Sequence, residues 1–152
     1  LFVPAVPVVY SASTDAPRAG SANILEDGAS IAETITLPST VEASSLNIAF
    51  LAEEVQWLDS SVVSVEVTDA SGARVFRTEA PANSLHDGLH SFPADGLVLR
   101  GGEKYTVTIT SRMTEGGYAR VMINPAVDQF PTTENGTTVH GDLLMTIAGR
   151  TK

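Results

Sequence analysis

The stretch VVSVEVTDASGARVFRT, residues 62–78, has the residue pattern of a β-hairpin. Its first half alternates valine with polar residues, which is the period of a half-buried strand, at Val63, Val65 and Val67. The sequence DASG follows at residues 69–72. Aspartate suits the first position of a type I turn, and glycine suits the left-handed position that closes it. The stretch therefore predicts two antiparallel strands joined by a short turn.

Alternating segments bounded by turn residues recur along the chain. They predict further strands at residues 31–37, 46–52, 89–92, 97–99, 105–111, 118–124 and 143–147. Proline, paired glycines and the dipeptide Asn135-Gly136, which is typical of a two-residue hairpin, separate these segments. Residues 11–28 are rich in small and polar residues and predict a loop, with a short helical turn near Ile24. About eight to ten strands at this spacing, without an amphipathic helix, indicate an all-β sandwich or barrel.

Length and charge restrict the organisation and the partners. The 152 residues suit one domain, which we divide into an N-terminal segment and loop (1–28) and a sandwich (29–152). The absence of cysteine excludes a disulfide framework. The formal net charge of −9 would repel nucleic acid and anionic lipid, so we expect neither as a partner.

The N-terminal run LFVPAVPVVY, residues 1–10, is apolar apart from its final tyrosine. It is too short to cross a bilayer, which needs about 20 residues. It is either an extended segment packed on the sandwich or the remainder of a membrane helix. Because the chain begins at Leu1, we expect it to be a piece of a larger protein, and we expect no membrane insertion by this segment.

Several phrases follow one another in a familiar order. These are ASIAETITLPSTVEASSLNIAFLA (29–52), the hairpin at 62–78, LVLRGGEKYTVTITSR (97–112), YARVMIN (118–124) and GDLLMTIAG (141–149). Together they resemble bacterial extracellular jelly-roll domains of the carbohydrate-binding-module type. The resemblance covers residues 28–149 and implies a single antiparallel, jelly-roll-like β-sandwich. It also implies an extracellular or cell-envelope location, on the outer face. Its motifs specify turns and strand faces, so no functional residue is carried over.

The first candidate for a ligand site is Trp57, the single tryptophan of the chain. Its ring could stack on the apolar face of a sugar, while Gln56 and Asp59 bind the hydroxyl groups. The alternative is that Trp57 caps one end of the sandwich beside Val55 and Leu58. The expected partners are therefore carbohydrate and other domains of the parent protein.

Calcium is the one cofactor that the resemblance suggests. Jelly-roll modules of this type often hold a structural Ca²⁺ through loop carboxylates and carbonyl oxygens. Glu26 and Asp27 precede the first strand of the sandwich, and Asp142 begins the last one. These carboxylates could converge, although solvated carboxylates are the commoner case. We otherwise expect no cofactor.

Catalytic patterns are weak. His86 and His90 are four residues apart, but Gly88 lies between them in a loop, so we expect no zinc site. Glu53 and Glu54 are adjacent and would point to opposite faces of a strand. The sequence contains no Gly-x-Ser-x-Gly motif. We therefore predict a non-catalytic module of a bacterial surface or secreted protein, with carbohydrate as the candidate ligand. The alternative is a structural or protein-interaction module of a membrane-anchored envelope protein, and an enzyme comes third.

Overall fold

The computed structural model describes residues 8–11, 21–25, 27–50, 61–85, 88–112, 119–124 and 130–151. Two antiparallel β-sheets make up this part of the chain, which is therefore an all-β sandwich, as the sequence predicts. One 3-10 turn, Ala82–Ser84, follows the sixth strand. The described strands are β1 (Val8–Ser11), β2 (Ser21–Leu25), β3 (Ser30–Thr36), β4 (Val41–Phe50), β5 (Val62–Asp69), β6 (Arg74–Pro81), β7 (Gly88–Pro93), β8 (Val98–Leu99), β9 (Lys104–Arg112), β10 (Ala119–Asn124), β11 (Thr132–Glu134), β12 (Thr137–Val139), β13 (Asp142–Leu143) and β14 (Met145–Thr151).

The six-stranded sheet has the order β12-β11-β3-β9-β5-β6. Its central strands alternate between buried and half-exposed residues, the pattern expected when one face packs on a core and the other meets water. Threonine and serine dominate the outer face, where Thr34 and Thr106 hydrogen-bond across neighbouring strands at 3.0 Å. The inner face confirms the predicted core positions Ile31, Ile35, Val63, Val65, Val67, Tyr105, Val107 and Ile109.

Both predicted hairpins are confirmed. At residues 69–72 the Gly72 amide donates to the Asp69 carbonyl at 3.0 Å, and Gly72 has φ +86°. The Asp69 carboxylate accepts the amides of Ser71 and Ala73 at 2.9 and 3.1 Å. The Asn135-Gly136 turn joins β11 to β12 with φ values of +50° and +82°, which is why this dipeptide suits it.

The eight-stranded sheet is built around β4, its longest strand. One edge of β4 pairs with β7 and β8, and the other pairs with β14 and, at its end, with β10. β1 pairs with β14, and β2 pairs with β10. The large side chains of this sheet meet those of the other sheet in one core, which includes Leu46, Ile48, Phe50, Phe92, Val121, Ile123, Leu143 and Ile147.

Leu144 marks a junction in this sheet. Its amide donates to the Met122 carbonyl at 3.1 Å, and its carbonyl accepts the Ala49 amide at 2.9 Å. Before Leu144, β13 pairs with β10, and after it, β14 pairs with β4. Leu144 is therefore the residue at which the chain changes its pairing partner. The side chains of Ala49, Met122 and Leu144 form a small buried cluster apart from the main core.

β6 forms one border of the six-stranded sheet and, among the described strands, pairs with β5 alone. The register shifts by one residue at Val75, the strand ends at Pro81, and Arg77 and Glu79 form an ion pair at 3.2 Å on its surface. A bulge, a proline and charged side chains are the features that discourage pairing with another chain.

Some sequence predictions need correction. The predicted loop over residues 11–28, with a helical turn near Ile24, is wrong at β2, because these residues pair with β10 over five positions. β4 begins at Val41 rather than at residue 46. The described strands number fourteen, more than expected; for example, Leu144 divides the last predicted strand, residues 143–147, between β13 and β14. No helix in the described part of the chain has the length and hydropathy needed to cross a membrane.

Candidate functional site

A β-bulge in the eight-stranded sheet creates a surface cleft among the described residues. β14 pairs Ala148 with Ser45 but Gly149 with Ala43, so Ser44 is the extra residue on β4. The Ser44 hydroxyl donates to the Ala148 carbonyl at 3.2 Å. The bulge is therefore fixed from the β14 side by a hydrogen bond between neighbouring strands.

A turn between β7 and β8 fixes the other side of the bulge. The Ala94 amide donates to the Ser44 carbonyl at 2.9 Å, and the Ala43 amide donates to the Leu97 carbonyl at 2.8 Å. The turn itself closes through the Leu97 amide and the Ala94 carbonyl at 3.0 Å. Gly96 has φ +89°, a conformation that glycine adopts without the strain of a side chain. These contacts hold Asp95 beside β4.

Gly149 lets β14 approach β4 closely at this point. A Cβ atom on residue 149 would lie 2.9 Å from the Cα of Ala43 and would also meet the Glu42 carbonyl oxygen. Real Cβ atoms essentially never come this close to backbone. The narrow spacing, and with it the shape of the cleft, therefore depends on the absence of a side chain at residue 149.

The resulting bulge cleft has a volume of about 250 Å³ and is lined by Glu42, Ala43, Ser44, Asp95, Gly96, Gly149 and Arg150. Glu42 and Arg150 are directly opposite in the pairing of β4 with β14, so their side chains share one face of the sheet. Glu42, Asp95 and Arg150 are all exposed. The cleft thus offers two carboxylates that accept hydrogen bonds, one guanidinium that donates them, and the Ser44 hydroxyl, which can accept them because its proton is donated to the Ala148 carbonyl.

A second polar cluster lies inside the sandwich. Glu33 occupies a core-facing position of β3 and is fully buried. Its Oε2 accepts the Leu143 amide from the opposite sheet at 2.8 Å and the Thr132 hydroxyl at 3.3 Å. A buried carboxylate is tolerated only when hydrogen bonds replace its lost hydration. Glu33 therefore links the two sheets, and we assign it a structural role.

The predicted calcium residues are in different surroundings. Asp142 is fully buried, and its Oδ1 accepts the Phe130 amide at 3.0 Å. Asp27 is exposed in the turn before β3, and Glu26 lies outside the described residues. Within the described part of the chain, no group of three or more His, Asp or Glu side chains is arranged to hold a metal ion. The calcium site stays a prediction.

The predicted sugar-binding residues Trp57, Gln56 and Asp59 lie outside the residues that the structure describes. His86 does as well, whereas His90 is half-buried on β7. The His90 ring packs edge-on against Phe92, with ring centres 4.8 Å apart. His90 thus contributes to packing at the margin of the core.

Sequence patterns gave little sign of the bulge cleft. Pro93 and Gly96 lie between the strands predicted at residues 89–92 and 97–99, and Gly149 and Arg150 follow the last predicted strand. The contacts that bring these residues to β4 join segments about 50 to 110 positions apart, which no local pattern reveals. Glu33, by contrast, alternates in register with Ile31 and Ile35, so the predicted strand at residues 31–37 puts it on the same face as these two core residues.

No protein-family model matches the chain, and a comparison with curated proteins also finds no match.

Proposed function

We propose that the chain is a non-catalytic, jelly-roll-like β-sandwich module of a bacterial surface or secreted protein, and that it binds carbohydrate. Its location would be extracellular or at the outer face of the cell envelope. The observation that carries the proposal is the bulge cleft, in which carboxylate, guanidinium and hydroxyl groups converge at a fixed irregularity of a rigid sheet. Such groups recognise the hydroxyls of a sugar by donating and accepting hydrogen bonds.

The exposure of the cleft favours recognition over catalysis. Glu42, Asp95 and Arg150 are open to solvent. Catalytic groups gain most of their effect in sites from which water is excluded, because charges interact more strongly there. A solvated cleft suits reversible binding of a polar ligand.

The size of the cleft agrees with a small ligand. Its volume of about 250 Å³ lies just below the range of about 300–1,000 Å³ typical of small-molecule sites. This space suits one sugar ring rather than a long oligosaccharide. Trp57, seven residues beyond the end of β4, remains the second candidate for a sugar contact.

A glycan array tests the proposal. The purified chain should retain at least one class of glycan, and the heat-denatured chain should retain none. Trp57→Ala is the variant that tests the stacking prediction. Failure of the folded protein to bind any glycan on a broad array, and any soluble monosaccharide by calorimetry, would refute carbohydrate binding.

A structural or protein-interaction module of a membrane-anchored envelope protein is the second candidate. Its support is that the three exposed large hydrophobic residues of the described chain, Val75, Leu89 and Val98, lie on the border strands β6, β7 and β8. The partner would be another domain of the parent protein. Leu89→Ser should weaken association with that domain. Core residues such as Val63 are buried and would not contact the partner. Unchanged association would remove this support.

A further inference from the structure

We infer that the bulge cleft binds an uncharged sugar ring edge-on through its hydroxyl groups and rejects anionic sugars. This inference rests on the proposed carbohydrate-binding function and assigns to it a site and a ligand class. It goes beyond the sequence prediction, which placed the ligand at Trp57.

The charge of the cleft determines the ligand class. Two carboxylates, Glu42 and Asp95, and one guanidinium, Arg150, give the described lining of the cleft one net negative charge. The net charge of the whole chain, −9, has the same sign. A uronic acid or sialic acid would therefore meet repulsion both at the cleft and on approach. A neutral ring meets none.

The lining determines the orientation of the ring. None of the seven lining residues that the structure describes is aromatic, so the cleft offers no flat surface for the face of a sugar. It offers acceptors on Glu42 and Asp95, a planar donor fork on Arg150 and the Ser44 hydroxyl. Adjacent hydroxyls on one edge of a ring match this set, since one can donate to a carboxylate while its neighbour accepts from the guanidinium.

The backbone gives these side chains a fixed spacing. Glu42 and Arg150 are held opposite each other by the ladder of β4 and β14. Asp95 is held by the turn whose Ala94 amide binds the Ser44 carbonyl at 2.9 Å. The acceptors and the donor are thus attached to three segments, of which β4 hydrogen-bonds to both of the others, and this limits the entropy lost on binding.

The test is calorimetry or ligand-observed NMR with four probes: the methyl glycosides of glucose, galactose and mannose, and the sodium salt of methyl glucuronide. We expect at least one neutral glycoside to bind and the glucuronide to bind about tenfold more weakly or not at all. Arg150→Gln and Asp95→Asn should each lower the affinity for the neutral glycoside by about tenfold. The matched controls, Arg77→Gln and Glu66→Gln on the other sheet, should leave affinity unchanged.

A charge reversal gives a second, independent readout. The double variant Glu42→Gln, Asp95→Asn leaves Arg150 as the one charged side chain among the described residues that line the cleft. It should lose the neutral glycoside and gain measurable binding of the glucuronide. Thermal melts establish that each variant is folded.

The outcomes separate the inference from the proposed function. Neutral binding that survives the cleft variants but disappears in Trp57→Ala overturns the inference and leaves carbohydrate binding standing. Preferential binding of the glucuronide by the unaltered chain also overturns it. If no probe binds and the broad glycan array is blank, the proposed function fails together with the inference.

Discussion

Replacing Glu33 tests the proposal that a buried carboxylate holds the two sheets together. The change of interest is Glu33→Ala, because alanine keeps the strand and removes the carboxylate. The Leu143 amide, which donates to Glu33 Oε2 at 2.8 Å, would then be buried without this acceptor. The Thr132 hydroxyl would keep a neighbouring acceptor, the Phe130 carbonyl at 3.3 Å.

The expected loss of stability has two parts. An unsatisfied buried amide costs about 1–3 kcal/mol. One buried methylene group, Cγ, is also removed, at about 0.8 kcal/mol. We therefore expect Glu33→Ala to lower the free energy of unfolding by about 2–4 kcal/mol. For a chain of this size that corresponds to a fall in Tm of roughly 4–16 °C.

Glu33→Gln is the informative comparison. Its amide oxygen can accept the Leu143 hydrogen bond, so we expect a loss of only about 1 kcal/mol. Glu66→Ala is the control, since Glu66 lies on the outer face of the same sheet opposite Arg77, and should cost less than about 1 kcal/mol. Urea and thermal unfolding measure all three variants.

Two results would refute the reasoning. One is a Glu33→Ala variant no less stable than Glu33→Gln, which would mean that the Leu143 hydrogen bond contributes nothing. The other is a loss in Glu66→Ala as large as that in Glu33→Ala, which would make burial irrelevant. A change in the urea m-value would indicate that the denatured state had changed instead.

Three further predictions concern the turn, the cleft and calcium. Hydrogen bonds from the Ser71 side chain and from nearby backbone amides lower the pKa of Asp69. The contribution of Asp69 to stability should therefore be present above about pH 3.8 and disappear as the pH falls further. Asp69→Ala should remove this part of the acid dependence of Tm, and a variant with the same pH profile as the unaltered chain would contradict the prediction. Gly149→Ala should cost about 1–3 kcal/mol and weaken any sugar binding, because its Cβ would meet β4; an unchanged Tm would show that the strands separate easily. A bound structural Ca²⁺ at Glu26, Asp27 and Asp142 should make Tm fall when a chelator is added, because a cation that binds only the folded state stabilises it; an unchanged Tm would contradict the calcium prediction.

Local sequence patterns were sufficient for the turns and the strand faces. Asp69 and Gly72 predicted their turn because the hydrogen bonds involved join residues two to four positions apart. Alternation likewise placed Glu33 on the inner face of β3. The hydrogen-bond donor to Glu33 was not predictable, since it is the amide of Leu143, 110 residues away in the chain. The same holds for β2, whose strand conformation comes from its pairing with β10 rather than from its own composition.

The pairing of β4 with β14 has a consequence for folding. β4 lies at the middle of its sheet, yet Asn47 on β4 and Thr146 on β14, which hydrogen-bond at 3.1 Å, are 99 residues apart in the chain. During synthesis at about 5–20 residues per second, that edge of β4 would wait roughly 5–20 s for its partner. The six-stranded sheet receives its core strands β3, β5 and β9 earlier. We expect it to form first, with the eight-stranded sheet closing only when β14 is delivered between β1 and β4.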